Sequence, residues 1–258
     1  MVGRLLGFLY GVVAYVVFLG SFLYAIGFVG NLMVPKGIDG GTAGPFASAL
    51  LVNALLLGLF AVQHSVMARP WFKKAWTRVV PPSIERSTYV LLASLLLLLL
   101  YWQWRPMPDM IWSVESPAGA MTLIGLFWLG WLLVLLSTLM IDHFDLFGLR
   151  QVSSLLTRRS YIPPKFQTTG LYKYVRHPIM LGFIIAFWAT PRMSVGHLLF
   201  AVATTGYILL AIQFEEHDLR HGLGPKYDEY RRHVSMIVPS GRAWEVEPAR
   251  EEAPQPHP

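Results

Sequence analysis

The chain has 258 residues, of which 54% are hydrophobic and only 14% are charged, whereas ordinary soluble domains carry roughly 25% charged residues. This composition excludes a typical soluble enzyme and indicates an integral membrane protein. In a soluble chain the net charge of +6 would raise the question of nucleic acid. In a membrane chain it first indicates cytoplasmic loops, so no nucleic-acid partner is expected. The chain has no cysteine, which excludes disulfides and thiolate metal sites.

Five apolar segments have about the 20 residues needed to cross the hydrocarbon core of a bilayer. They cover residues 5–30, 47–68, 85–104, 118–141 and 195–216. A sixth apolar run, from Pro178 to Ala189, is too short to cross alone. The first segment follows Arg4 as a signal peptide would, but its apolar run is over-long and has no convincing cleavage site. We therefore interpret it as a retained helix.

Lys and Arg are unevenly distributed among the loops, and positive charge accumulates on the cytoplasmic side of a membrane. The loops at 31–46 and 105–117 each contain one basic residue, whereas the loops at 69–86 and 142–177 and the C-terminal tail are basic. The N-terminus, the basic loops and the tail are therefore predicted to be cytoplasmic. This requires the short sixth run and the last span to form a hairpin. The predicted fold is an all-α integral membrane protein with five transmembrane helices and a short helix in a C-terminal, cytoplasm-facing hairpin.

Ionisable residues near the ends of spans are functional candidates, because burying them in a membrane is costly. His64 ends the second span and Arg69 follows it, and Asp142, His143 and Asp145 follow the fourth span. A neighbouring carboxylate orients an imidazole and raises its basicity. We therefore predict that His143 accepts a proton, with Asp142 or Asp145 orienting its ring. The alternatives are a helix end near lipid headgroups and an ordinary helix cap.

Two further clusters flank the predicted hairpin. Proline is favoured at the first position of a helix, so Pro178 begins the short helix and His177 caps it. The free N–H groups of that helix terminus, together with Arg176, predict an anion site. Glu215 and Glu216, on the other arm of the hairpin, suit a cation or ribose hydroxyls. The alternatives are a headgroup-binding loop and a solvated helix end.

The spacing of His217 and His221 suits a metal ion on a helix, but one such pair is a weak pattern. The other histidines are scattered singly along the chain. We therefore predict no metal site.

Several motifs lie between residues 165 and 240: YVRHP at 174–178, Gly182, the Glu215-Glu216 pair and GPKYDEYRRHV at 224–234. Their combination resembles the C-terminal signature of integral membrane methyltransferases, the isoprenylcysteine carboxyl methyltransferase and phospholipid methyltransferase group. The resemblance implies S-adenosylmethionine bound in a helical hairpin at the cytoplasmic face. It implies these pocket residues: Tyr174, Arg176, His177, Pro178, Gly182, Glu215, Glu216 and Tyr230. The chain departs from the isoprenylcysteine group at Met180, where that group usually has tyrosine.

The whole chain more closely resembles the bacterial methanethiol S-methyltransferase family. The shared motifs are QHSVMARP at 63–70, ERSTYVL at 85–91, DHFDLFGLRQV at 142–152 and RHPIMLGFIIAFWATPRMSVGHLLFA at 176–201. The family of nitric-oxide reductase accessory proteins shares parts of this layout. The resemblance implies methyl transfer to a small thiol, methanethiol, which yields dimethyl sulfide at the cytoplasmic side of a bacterial inner membrane.

With that chemistry, His64 joins His143 as a catalytic candidate, and Arg69 and Met180 are expected in the substrate vestibule. One alternative is a membrane methyltransferase that acts on a lipid, an amine or a prenylcysteine carboxylate. The other is a membrane transporter or accessory protein.

We expect one membrane domain over residues 1–240, with its cofactor-binding part at about 165–240. Residues 241–258 are rich in proline and glutamate and lack an apolar period. They are predicted to be a disordered tail.

Overall fold

The computed structural model describes residues 1–164, 166–239 and 243–244. Its helices are α1 (Val2–Gly30), α2 (Phe46–Ala68), α3 (Pro70–Trp76), α4 (Pro82–Gln103), α5 (Pro117–Ile141), α6 (His143–Leu146), α7 (Leu149–Thr157), α8 (Pro178–Trp188), α9 (Val195–Leu223) and α10 (Pro225–His233). Two short strands, β1 (Met110–Ser113) and β2 (Arg192–Ser194), and a 3-10 helix (Gly170–Lys173) complete it. Most of the predicted disordered tail, residues 241–258, lies outside the described residues.

Five helices, α1, α2, α4, α5 and α9, are long and apolar enough to cross a membrane. Their bounds agree with the five predicted segments to within a few residues, except that α9 continues past the apolar run to Leu223. The predicted fold class is confirmed: the chain is an all-α integral membrane protein. The helices expose many leucine and valine side chains, as the lipid-facing surface of such a bundle requires.

The short helix α8 and the long helix α9 form the predicted hairpin. Its turn contains β2, which pairs antiparallel with β1 from the loop between α4 and α5, with Met110 opposite Ser194. The Ser194 hydroxyl also donates a hydrogen bond to Asp39, in the loop between α1 and α2. The two loops that are poor in basic residues therefore meet the hairpin turn at one end of the bundle. The sequence pattern did not predict this small sheet.

The basic loops meet at the other end of the bundle. Arg86 Nε, near the start of α4, donates to the Leu146 carbonyl oxygen at 2.8 Å. Arg69, at the end of α2, forms an ion pair with Asp218 of α9 at 2.8 Å. The structure therefore places the two loop classes at opposite ends, as the charge distribution predicted.

Helices α5 and α8 pack closely because glycine lies on both sides of their contact. A Cβ atom built on Gly130 would lie 2.6 Å from the Gly182 carbonyl oxygen and 2.6 Å from the Ala186 nitrogen. A Cβ atom on Gly182 would lie 2.7 Å from the Gly130 carbonyl oxygen. Such distances leave no room for a methyl group against backbone atoms. This approach fixes the start of α8 beside α5.

We expect Gly130→Ala to destabilise the protein, because the new methyl group meets backbone atoms of α8. Overpacking of this kind costs about 1–3 kcal/mol. The thermal unfolding midpoint of the purified protein in detergent should fall. Gly125→Ala is the matched control, since Gly125 lies on the same helix with nothing within 4 Å of its Cβ position. Equal midpoints for the two variants would contradict the close approach.

Candidate functional site

The Glu216 carboxylate near the end of α9 is surrounded by cationic or protonated groups from three segments. Arg176 Nε donates to Glu216 Oε1 at 2.7 Å, and the Nε2–H of His177 donates to the same oxygen at 3.2 Å. Arg231 Nε of α10 lies 3.1 Å from Oε2 in an ion pair without hydrogen-bond geometry. The Glu216 side chain is only 7% exposed. We call these four residues the Glu216 cluster.

Backbone contacts hold the two chain segments of this cluster together. Pro178 begins α8, and the segment before it runs beside the segment that follows α10 in a parallel bridge between Val175 and Ser235. Arg176 N donates to the Ser235 carbonyl oxygen at 2.9 Å, and His177 N donates to the Met236 carbonyl oxygen at 3.1 Å. The motifs at 174–178 and 224–234 are thus joined in space, as the resemblance implied.

Each guanidinium nitrogen of Arg176 contacts a group within the protein. Besides Glu216, it donates through Nη1 to the carbonyl oxygens of Arg231 and Val234. The sequence placed the arginine and the acids on neighbouring arms of the hairpin, and this is confirmed. The structure adds that Arg176 and Glu216 bind each other directly, because a buried carboxylate requires a paired cation. Their roles toward a cofactor stay predictions.

Two buried tyrosines, Tyr172 and Tyr230, lie beside the Glu216 cluster. The Tyr230 hydroxyl donates to the Tyr172 carbonyl oxygen at 2.6 Å, and both side chains are buried. Burial raises the pKa of both phenols above the ordinary value. Trp244, one of the few described residues beyond 240, packs on Tyr230 with ring centroids 5.3 Å apart. Tyr230 therefore has a buried, supporting position beside the Glu216 cluster.

Glu215 and Tyr174 are accessible polar groups in this part of the described structure. The Glu215 side chain is 48% exposed, and its Oε2 lies 3.6 Å from Nδ1 of His177. Tyr174 is 41% exposed. Met180 is partly exposed in the first turn of α8. Gly182 was expected to contact a ligand. In the structure, a Cβ atom on Gly182 would point at α5. Its place in a cofactor pocket stays a prediction.

His143 lies in α6, and its ring contacts two hydroxyl groups. Its Nε2 lies 2.9 Å from the Tyr15 hydroxyl of α1, and its Nδ1 lies 3.0 Å from Thr138 Oγ1 of α5. The Thr138 hydroxyl donates to the Leu135 carbonyl oxygen, so it accepts from Nδ1–H. This leaves Nε2 as the acceptor for Tyr15. Burial lowers the pKa of His143, although Asp142 opposes the effect, and the ring is neutral at pH 7.

The structure gives Asp142 and Asp145 hydrogen-bond partners other than the His143 ring, and their role in orienting that ring stays a prediction. Asp142 accepts from Arg150 and from the backbone N–H of Asp145, which caps α6. Asp145 accepts from the Tyr161 hydroxyl at 2.8 Å. Sequence analysis missed Tyr15, since a tyrosine inside a long apolar helix has no local pattern that joins it to residue 143.

His64 forms a second pairing of a histidine with a tyrosine. The Tyr89 hydroxyl of α4 lies 3.0 Å from His64 Nε2. The adjacent Ser65 lies 3.1 Å from the Tyr207 hydroxyl of α9. With the ion pair of Arg69 and Asp218, these contacts attach the end of α2 to the same helix that carries Glu215.

One aromatic cluster joins the two histidine–tyrosine pairs. Tyr89 belongs to a buried group that packs against Phe18 and Phe147. The Phe147 ring stacks on Phe18 at 3.7 Å and contacts the His143 ring at 4.8 Å between centroids. His143 and His64 are therefore linked through an apolar layer between α1, α2 and α4.

No group of three or more His, Asp or Glu side chains among the described residues is placed to hold a metal ion. The His217 and His221 rings lie 4.2 Å apart, and His221 Nδ1 is 2.7 Å from the His217 carbonyl oxygen.

Comparison with known proteins identifies close relatives. The chain is 61% identical over 236 residues to a methanethiol S-methyltransferase of Mycobacterium tuberculosis, covering 92% of this chain and 97% of the relative. It is 51% identical over 231 residues to a methanethiol S-methyltransferase of Crocosphaera subtropica, covering 90% and 91%. Mouse nurim is more distant, with 31% identity over 184 residues and coverage of 67% and 69%. Neither a protein-family model nor a solved structure matches the chain.

The Glu216 cluster predicts a difference between two adjacent glutamates. Removing one partner of a buried ion pair costs about 3–5 kcal/mol, because the other charge stays buried and unpaired. We expect Glu216→Gln to lower the thermal unfolding midpoint in detergent strongly. Glu215→Gln is the matched control and should leave the midpoint nearly unchanged, since its side chain is 48% exposed. The reverse order of the two midpoints would refute the assignment of Glu216 as the buried hub.

Proposed function

The chain belongs to the methanethiol S-methyltransferase family, and we propose that it transfers a methyl group from S-adenosylmethionine to methanethiol, yielding dimethyl sulfide and S-adenosylhomocysteine. The observation that carries this proposal is identity of 61% to a relative of that name over nearly the full length of both chains. The proposed location is a bacterial inner membrane, with the basic end of the bundle, and hence the Glu216 cluster, in the cytoplasm.

The residues beside the Glu216 cluster fit a zwitterionic methyl donor. Bound S-adenosylmethionine supplies an electrophilic methyl group on its sulfonium. Pro178 begins α8, so the N–H groups of Ile179 and Met180 in the first turn have no intrahelical partner and suit a carboxylate. The half-exposed Glu215 carboxylate suits an ammonium group or ribose hydroxyls. Arg176 and Tyr230 do not contact the methyl donor in this proposal. They hold the start of α8 and the end of α9 in position.

A base assists this reaction because the thiolate is the nucleophile. A small alkyl thiol is at least as weak an acid as free cysteine, whose pKa is about 8.5, so little thiolate exists at neutral pH. We assign the proton to Nε2 of His143, which is neutral at pH 7. The Tyr15 hydroxyl takes the S–H proton as it gives its own proton to Nε2, which leaves a thiolate and an imidazolium. Thr138 holds Nδ1–H throughout.

The apolar surroundings of this pair suit the same chemistry. Phe144 and Phe147 contact the His143 ring edge to face, at 5.5 and 4.8 Å between centroids. Apolar walls of this kind admit a small neutral thiol from the bilayer and exclude water. A thiolate that forms there lacks the hydration that would lower its reactivity.

The first experiment is an assay of the purified protein in detergent with labelled S-adenosylmethionine. The acceptors are methanethiol, a larger thiol, a prenylcysteine and phosphatidylethanolamine. We expect methyl transfer to methanethiol with release of dimethyl sulfide, and much slower transfer to the bulkier acceptors. Transfer to the lipid or the prenylcysteine alone would replace the proposed substrate. Absence of transfer to every acceptor, by protein that still binds S-adenosylhomocysteine, would favour an accessory role.

His143→Ala tests the proton acceptor through its pH dependence. General base catalysis typically contributes about 100-fold or more, so turnover at neutral pH should fall by that order while S-adenosylhomocysteine binding persists. The deficit should shrink as the pH rises toward the thiol pKa, because solvent then supplies thiolate. In the unmodified protein, activity should be maintained below pH 6.5, the ordinary histidine pKa, and fall only as the pH drops through the lowered pKa of His143.

His64→Ala is the matched comparison, since His64 is a second histidine that contacts a tyrosine hydroxyl. Near-normal turnover of His143→Ala at neutral pH, with a large loss for His64→Ala, would transfer the role to His64. Equal losses for His143→Ala at every pH, with weakened cofactor binding, would make His143 a residue that only shapes the pocket.

A further inference from the structure

A separate cavity of about 630 Å³ lies at the basic end of the bundle. One wall is formed by Lys73 of α3 with Glu85 and Arg86 of α4. The lining also includes Asp145 of α6, Gln151 of α7 and Arg159, just after that helix. The cavity shares no lining residue with the Glu216 cluster, and its existence does not depend on the proposed methyl transfer.

Two buried acceptor atoms in this lining lack hydrogen bonds. Neither Glu85 Oε1 nor Gln151 Oε1 has a hydrogen-bond partner among the residues that the structure describes. Buried oxygen atoms of this kind are normally satisfied, because an unmade hydrogen bond is costly. Both atoms are acceptors, so a suitable ligand must bring N–H or O–H donors. The carboxylate of Glu85 makes a cationic donor the better match.

The same lining carries three basic side chains, Lys73, Arg86 and Arg159, and two carboxylates, Glu85 and Asp145. No ion pair within residues 1–164, 166–239 and 243–244 joins Lys73 or Arg159 to a carboxylate. Arg86 Nε donates a hydrogen bond to the Leu146 carbonyl oxygen. Burial, and after it the charge of Arg86, lowers the pKa of Lys73. An anionic group between these side chains would remove that electrostatic cost.

The cavity lies at the depth where lipid headgroups are found. Pro82 lines it and is also the first residue of the membrane-spanning helix α4. The neighbouring helix α3 has Trp71, which is 64% exposed, and tryptophan is enriched at membrane interfaces. A headgroup can therefore enter this cavity while its acyl chains stay in the bilayer.

We propose that this cavity binds a phospholipid whose headgroup carries both a phosphate and a primary ammonium. The phosphate lies between Lys73, Arg86 and Arg159, and the ammonium donates to Glu85 and Gln151. A primary ammonium has three N–H donors, whereas a quaternary ammonium has none. The site therefore discriminates between two zwitterionic headgroups of equal charge. The bound lipid holds the α3–α4 corner against α7.

The test measures lipid binding to the full-length protein in detergent by native mass spectrometry. The probes are phosphatidylethanolamine, phosphatidylcholine and phosphatidylglycerol with the same acyl chains, and soluble phosphoethanolamine. We expect phosphatidylethanolamine to bind about tenfold or more tightly than phosphatidylcholine, since charge-assisted hydrogen bonds of the ammonium are lost in the latter. Phosphatidylglycerol, which lacks the ammonium, should also bind more weakly.

Variants assign this preference to the cavity. Glu85→Gln should remove most of the preference for phosphatidylethanolamine over phosphatidylcholine, and Lys73→Gln should weaken binding of both. Lys74→Gln is the matched control, because Lys74 is exposed on the same helix and does not line the cavity. Each variant is first compared with the unmodified protein by thermal unfolding, and Arg159→Gln replaces Lys73→Gln if the latter does not fold.

Equal binding of the three lipids, or a preference that survives both Glu85→Gln and Lys73→Gln, would overturn the proposal. Binding of soluble phosphoethanolamine without binding of the lipid would contradict the proposal that the ligand is a lipid. The cavity would then be assigned to a soluble zwitterion. These outcomes are independent of turnover, so they are distinguishable from failure of the proposed methyl transfer.

Discussion

The pairing of the buried Glu216 carboxylate with positive charge is the interaction on which the C-terminal half depends. A carboxylate that is 7% exposed is strongly unfavourable unless cations and donors surround it. Arg176 and His177 approach from the start of α8, and Arg231 approaches from α10. One carboxylate thereby fixes three segments that are up to 55 residues apart in the chain, and it gives the hairpin a defined end.

Two further sets of contacts hold the hairpin, one at its turn and one along the face of α8 that packs against α5. The strand pair β1 and β2 and the hydrogen bond from Ser194 to Asp39 hold the turn. Gly130 and Gly182 allow α8 to lie against α5 at backbone distance. The short helix therefore does not need to cross the membrane as a regular span. It needs only to bring its start beside Glu216, because Arg176 and His177, just before its first turn, bind that carboxylate.

The two histidine–tyrosine pairs show how hydroxyl groups in an apolar environment hold a histidine ring in place. His143 is held by hydroxyl groups of Tyr15 and Thr138, which fix its tautomer without adding charge. Burial then keeps the ring neutral, as an acceptor must be. A carboxylate partner would raise the pKa and favour the protonated ring. The observed partners are therefore better suited to a neutral base than the flanking acids that the local sequence suggested.

The sequence by itself determined the five spans, the short helix and the end of the bundle at which each loop lies, because hydrophobic length and loop charge act locally. It also placed Arg176, His177, Glu215 and Glu216 on facing arms of one hairpin. Only the tertiary structure decided that Arg176 binds Glu216, that Tyr15 rather than Asp142 or Asp145 contacts His143, and that Gly182 serves the contact with α5. Those contacts join residues as far apart as 128 positions, and a pairing between distant segments leaves no periodic trace in either one.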